Sequence, residues 1–278
     1  SKPPSRLFAG HHGGDVSGLA VNPVRDEIVA TCGDDAVVCL WDTNKHRQIA
    51  RARLPTGARA LAFSPDGTHL AACLCVAYWD AATASKERNM DTEDLQGSIS
   101  ILSGDDLTEI MSLSDARGAS CRCAAYAPNG QWFAVGSSNK NIYLYRVEAA
   151  AGAKKCKYSL AHVLAKHNAF VAHLDWTSDS KYLHSTCGGF ELLFWDAERG
   201  QHMPGGATSL RDADYVTWTC PLGWPVQGIC ASSHSTDIRS VCSVDRSPDG
   251  RFVALGYRHG ELRIFRYPCV EEKKSKSI

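Results

Sequence analysis

Five times along the chain a strand-like run breaks at the same kind of corner. The copies read Val21-Asn22-Pro23, Phe63-Ser64-Pro65-Asp66-Gly67, Tyr126-Ala127-Pro128-Asn129-Gly130, Trp176-Thr177-Ser178-Asp179 and Arg246-Ser247-Pro248-Asp249-Gly250. Proline presets φ for a turn and glycine supplies positive φ, so each copy predicts a tight hairpin corner. Apolar or small residues precede each corner at fixed offsets: Val16/Leu19/Val21, Ala58/Leu61/Phe63, Cys121/Ala124/Tyr126, Val171/Leu174/Trp176 and Val241/Val244/Arg246. Only Arg246 breaks the apolar rule. A self-similar chain of short strands cannot build one large core. It must bury each unit against the next.

A second strand follows every corner, for example Leu70-Ala71-Ala72-Cys73 and Phe252-Val253-Ala254-Leu255. A third ends in Leu40-Trp41-Asp42, Leu144-Tyr145-Arg146, Phe194-Trp195-Asp196 or Ile264-Phe265-Arg266. The corner and closing residues are separated by 20 positions in the first copy and 19 in the third, fourth and fifth. In the second copy, Trp79-Asp80 comes too early by this measure, whereas Leu102 falls in the closing slot if a hairpin insertion occupies about 78–96. That stretch is polar, as a solvent-exposed loop would be. Helical periodicity is nearly absent.

Three or four strands per ~40–45 residues with a Trp-Asp ending predict an all-β, WD-repeat β-propeller. Five repeats are recognisable, at about 7–50, 54–113, 117–164, 166–222 and 226–269, within a propeller over 1–269 and ahead of a charged tail, 270–278. His11, Thr31, Asp35 and Trp41 of the first repeat, with His167, Trp195 and Asp196 of the fourth, are expected to form the hydrogen-bonded network that pins blade corners. The catalytic or metal reading of these histidines is the weaker one. Val226 and Ile229 repeat the first-strand offsets, so an atypical extra blade can be sought in 197–240.

Thirty basic residues balance thirty acidic ones. A protein that binds duplex nucleic acid by bulk attraction needs a basic field, so this balance argues against one. The Arg47/Arg51/Arg53/Arg59 group reads as a solvated edge. No apolar run reaches the ~20 residues that span a bilayer. Twelve cysteines would suggest disulfides in a secreted chain. Here most sit in strand-like runs, and Cys73/Cys75 and Cys121/Cys123 have same-face strand spacing rather than a zinc-ligand gap. Reduced core thiols in a cytoplasmic protein are expected. No nucleophile elbow, phosphate loop or two-histidine helix motif appears, so neither catalysis nor a cofactor is expected.

Several stretches exceed what generic WD repeats require. Gly10-His11-His12-Gly13-Gly14-Asp15-Val16, Thr31-Cys32-Gly33-Asp34-Asp35, Phe170-Val171-Ala172-His173-Leu174-Asp175-Trp176, Thr217-Trp218-Thr219-Cys220-Pro221-Leu222-Gly223-Trp224-Pro225-Val226-Gln227-Gly228 and Phe265-Arg266-Tyr267-Pro268-Cys269 run in order. Together they resemble the second, C-terminal propeller of the echinoderm microtubule-associated protein-like (EML) family, which also tends to carry Arg before the last corner. The resemblance implies a non-catalytic scaffold with tubulin, microtubules or other cytoskeletal proteins as partners, at cytoplasmic microtubules or an axoneme. It further implies that the rest of a longer chain, another propeller and a coiled coil, completes the protein. The alternative is a general interaction platform that recognises a peptide or ubiquitin. Asp15, Phe170 and Val226, at the entry to first strands, and the basic Lys154, Lys155 and Lys157 are the expected partner contacts. Ring closure stays open between two solutions. Arg6-Leu7-Phe8 could pair as the last blade's outer strand, or the ring is incomplete and this is a piece of a longer protein, which is the expectation.

Overall fold

A computed structural model describes residues 10–75, 97–114, 120–149, 156–230 and 240–270. The insertion at 78–96 with Trp79 and Asp80, the segment Arg6-Leu7-Phe8, Lys154, Lys155 and the tail from 271 lie outside the described residues.

Five antiparallel sheets follow one another along the chain. The first holds β1 (Val16–Val21), β2 (Ile28–Gly33), β3 (Val37–Asp42) and β4 (Arg47–Arg53). The second holds β5 (Ala58–Phe63), β6 (His69–Leu74), β7 (Ile99–Ser103) and β8 (Glu109–Leu113). The third holds β9 (Cys121–Tyr126), β10 (Trp132–Ser137), β11 (Asn141–Ala149) and β12 (Cys156–Ala165), and the fourth β13 (Val171–Trp176), β14 (Tyr182–Cys187), β15 (Leu192–Asp196) and the short β16 (Gln201–His202). The fifth has three described strands, β17 (Val241–Arg246), β18 (Phe252–Tyr257) and β19 (Leu262–Arg266). Helix among the described residues amounts to the single turn Gly206–Ser209, the 3₁₀ segment Trp224–Cys230 and a 3₁₀ position at Ser240, and among the described residues no helix is long and apolar enough to cross a membrane. The chain is an all-β propeller of five blades.

Each corner folds for the reason its residues suggest. Gly67, Gly130 and Gly250 take φ of 69°, 69° and 66°, a left-handed conformation that a β-carbon penalises. In the fourth copy Ser180 occupies that slot at φ 62°. The closing residues share one register: Val29 faces Trp41, Leu70 faces Leu102, Phe133 faces Tyr145, Leu183 faces Trp195 and Val253 faces Phe265.

Side chains then pack sheet on sheet. Ala30, Cys32 and Leu40 meet Leu61, Phe63 and Leu70 of the second sheet. Ala71, Cys73 and Ile101 meet Phe133, Val135 and Tyr145 of the third, whose Ala134 and Leu144 meet Leu174, Trp176 and Trp195 of the fourth. Burying such side chains contributes ~1.5–3 kcal/mol each. The cysteines with described side chains are free thiols, most of them buried, and burial pushes the Cys32 thiol up to about 12.

Regular packing stops after the fourth sheet. Residues 214–216 run against the end of β13: Thr177 bridges Tyr215, and Val216 N–H donates to Trp176 O. Tyr215, Trp218, Val226 and Ile229 then fill the space against Val253, Leu255 and Phe265 of the fifth sheet. The first-strand reading of Val226 and Ile229 is thereby corrected. Pro225 has no N–H for a strand ladder, and Gly228 lies so close to the backbone of Cys269 and Val270 that a β-carbon would clash, so the segment coils into a 3₁₀ helix instead. Arg246 also finds its reason here. Its guanidinium donates to the carbonyls of Tyr215 and Val216 and lies over the Tyr267 ring, tying the fifth corner to the irregular segment.

The ring carries two uncovered faces. Leu19 is 67% exposed, whereas its repeat equivalents Leu61 and Leu174 are 7% and 4% exposed. Val16 and Val21 share the open face of β1, and Leu262 and Ile264 are exposed on β19. A face that is buried or partly buried in the internal blades is bare at both ends of the series.

Candidate functional site

The blade network is complete in the first sheet. Trp41 Nε1–H donates to Thr31 Oγ1 (2.7 Å), the Thr31 hydroxyl meets His11 Nε2 (2.9 Å), and His11 Nδ1–H reaches Asp35 Oδ1 (3.0 Å). Burial opposes ionisation of Asp35. Hydrogen bonds from His11 and from the backbone N–H of His12 and Val37 outweigh it and hold the carboxyl below its usual range. Thr31→Val strands both Trp41 N–H and His11 Nε2, and about 1–3 kcal/mol of stability should be lost in urea denaturation. No loss would remove the network from the account of stability.

The fourth sheet repeats the device with a shifted acid. Trp195 Nε1–H donates to Ser185 Oγ (2.8 Å), which also meets His167 Nε2 (2.7 Å). Gly189 occupies the register position of Asp35, and the carboxylate comes from Glu191, two residues later. Its Oε2 accepts Asn168 N–H (3.1 Å) and stands 3.6 Å from His167 Nδ1. Burial lowers the His167 pKa despite Glu191, so the ring is neutral at pH 7. Sequence reasoning missed Ser185 and Glu191, although Ser185 precedes its tryptophan by 10 residues, as Thr31 precedes Trp41. Asp196 stands apart from this network: it accepts Arg199 N–H in the turn after β15 (2.9 Å).

A third polar centre had no counterpart in the sequence reading. Asp175 on β13 is fully buried. It accepts from His184 Nε2 (2.9 Å), Thr217 Oγ1 (2.6 Å), Thr219 N (2.9 Å) and Cys220 N (3.1 Å). Desolvation alone would raise its pKa, but these donors win and depress it strongly. His184 stacks on Tyr215 at 4.3 Å and meets Trp218 edge-on at 4.8 Å. Asp175 thus staples the irregular segment to the fourth sheet. Among the described residues, two groups have metal-ligand chemistry, His167/Cys187/Glu191 and Asp175/His184/Cys220. In both, the carboxylate already accepts protein N–H donors, so hydrogen bonding accounts for the arrangement.

A different kind of chemistry gathers where the inner strands begin. A cleft of about 400 Å³ opens there. Ser17, Arg59, Arg122, Ala172 and Cys242 all line it, and all five stand four residues before a repeat corner. They are the same position in each blade, brought together around the mouth of the ring. Arg258, at the end of β18, adds a third guanidinium. Arg122 lies 4.2 Å above the ring of Phe170, which also lines the cleft. Arg59 Nη2 reaches Asp34 Oδ1 at 3.4 Å.

The expected partner contacts are scattered by the fold. Phe170 is at the cleft. Asp15 is exposed nearby, its N–H directed at Asp34. Val226 is fully buried in the 3₁₀ segment, so its assignment as a contact is corrected: it packs against the fifth sheet and presents nothing to a partner. Lys157 is on the outer strand β12, 3.8 Å from Glu148, away from the rim. The four-arginine group also divides, with Arg47, Arg51 and Arg53 exposed on outer strand β4 and Arg59 on inner strand β5. Arg122 and Arg258 were missed, and the repeat offset that Arg122 shares with Arg59 was the available signal.

Comparison with known proteins gives a consistent picture. Residues 16–277 match a family model described as the echinoderm microtubule-associated protein second β-propeller. The chain is 32% identical over 263 residues to the 77 kDa echinoderm microtubule-associated protein of Lytechinus variegatus, covering 94% of this chain and 35% of that protein. It is 29% identical to human echinoderm microtubule-associated protein-like 3, over 94% of the chain and 26% of the relative, and 28% identical to the human like-2 protein, over 96% and 37%. The chain therefore spans about a quarter to somewhat over a third of the relatives it matches.

Proposed function

The chain belongs to the echinoderm microtubule-associated protein family, as a second β-propeller, and from that premise we propose that it is a non-catalytic scaffold that associates with tubulin or microtubules. The match of nearly the whole chain to that propeller carries the reading. Support comes from the site chemistry: the buried polar centres are engaged in holding blades together, which leaves recognition at exposed rims and faces as the mode of action. The reading puts the protein on the cytoplasmic microtubule cytoskeleton, with the axoneme as its specialised form. At low salt the 278-residue chain should pellet with stabilised microtubules or co-elute with tubulin dimer. Failure of both would overturn the proposal and leave a general interaction platform in its place.

The bare faces of β1 and β19 belong to the same proposal. They are blade-packing surfaces, and a further segment of the protein fills the gap between them. Amides of β1 should exchange rapidly with deuterium in the present chain and become protected in the longer gene product. Equal exchange in both would exclude this completion.

A further inference from the structure

We propose that the mouth of the ring is a binding site for an acidic, glutamate- or aspartate-rich peptide segment. The inference is independent of the microtubule reading. The chain as a whole is electrically balanced, yet among the described residues lining this cleft there are three arginines and no acid. Arg59 is paired with Asp34 behind the lining, but Arg122 and Arg258 stand without an acid among the described residues, and a bound anion relieves the repulsion between such like charges.

The three guanidiniums come from different blades: Arg59 from the second, Arg122 from the third and Arg258 from the fifth. Their charges are therefore distributed around an opening rather than focused on one point. That pattern matches several carboxylates spaced along a chain better than a single phosphate. It also lacks the continuous basic stripe that a nucleic-acid backbone requires. Arg59 is only partly engaged, through Nη2 and Asp34. Its Nε is buried without a hydrogen-bond partner, and its contact to Asp34 is long. A guanidinium has five donors in a fixed fork suited to bidentate carboxylate binding. Arg122 and Arg258 are exposed and have no acid against them among the described residues. Phe170 holds Arg122 from beneath, and Phe170 and Phe190 offer apolar surface for the methylene stems of glutamate.

A fluorescein-labelled oligoglutamate peptide, titrated with the 278-residue chain at low salt and followed by anisotropy, tests this. Saturable binding that weakens with added salt is expected. Arg122→Glu together with Arg258→Glu should lower the affinity by about tenfold or more. Arg47→Glu, Arg51→Glu and Arg53→Glu on outer strand β4 should leave it unchanged. Circular dichroism and thermal melts establish that the variants are folded, and Arg258→Gln, at an exposed position, provides a milder second reading. Absence of saturable binding overturns the proposal. So does equal loss in the β4 variants, which would signify non-specific attraction. Tighter binding of a matched phosphoserine peptide or a single-stranded oligonucleotide through the same arginines would reassign the ligand class and overturn it as stated.

Discussion

Asp175→Asn should destabilise the protein by about 3–5 kcal/mol, because a buried charged acceptor of several hydrogen bonds is lost and each stranded donor costs about 1–3 kcal/mol. Asparagine keeps the shape but has one acceptor oxygen, and its amide turns donors toward the donors already present. His184 Nε2, Thr217 Oγ1 and the N–H groups of Thr219 and Cys220 then compete for that oxygen. The lesion should spread because Tyr215 and Trp218, held beside His184, form the joint between the fourth and fifth sheets. The change is read in the urea midpoint, and a loss below about 1 kcal/mol would rule out Asp175 as the hub of that joint. The pH dependence has a definite sign. The folded carboxyl titrates below its ordinary value of 3.8, so the stabilisation is fully present above 3.8 and declines as pH falls below it. The gap between wild type and variant should be constant from neutrality to about pH 5 and shrink only in stronger acid.

Leu61→Ala and Leu19→Ala should differ by several kcal/mol although the two leucines hold the same repeat position. Leu61 is buried between the first and second sheets, and its truncation should cost about 2–5 kcal/mol in lost transfer energy and cavity. Leu19 is two-thirds exposed, and its truncation in this chain should fall within about 0.5 kcal/mol of zero. Where a further segment covers the face, as proposed above, the Leu19 variant should become costly. Comparable losses for both variants in the 278-residue chain would mean that the β1 face is already covered in solution.

Much of the propeller was legible because a blade is a local unit. Corner residues, strand offsets and closing residues lie within about 20 positions of each other, and turn chemistry with period-two patterning is enough to place them. Leu102 illustrates how far this reaches, since it falls in the slot opposite Leu70 once an insertion is allowed between the second and third strands. The same counting misled at Val226, where apolar offsets suggested a strand but Pro225 and the close approach of Gly228 to Cys269 imposed a 3₁₀ helix. Glu191 escaped because its function depends on side-chain reach, two residues along from the position Asp35 would predict. Asp175 escaped because, His184 apart, its donors lie 42–45 residues downstream in a segment without repeat pattern.

The sequence by itself determined the repeating unit, the number of recognisable units and the family. These depend on short-range turn geometry and on motifs readable along the chain. Only the tertiary structure decided which equivalent positions become core and which become surface, because that depends on having a neighbour. Leu19 and Leu61 are interchangeable in pattern and opposite in burial, and Ser17, Arg59 and Arg122 form one cleft only once the blades turn about a shared axis. Burial and electrostatic potential are properties of the assembled ring, and no single repeat contains them.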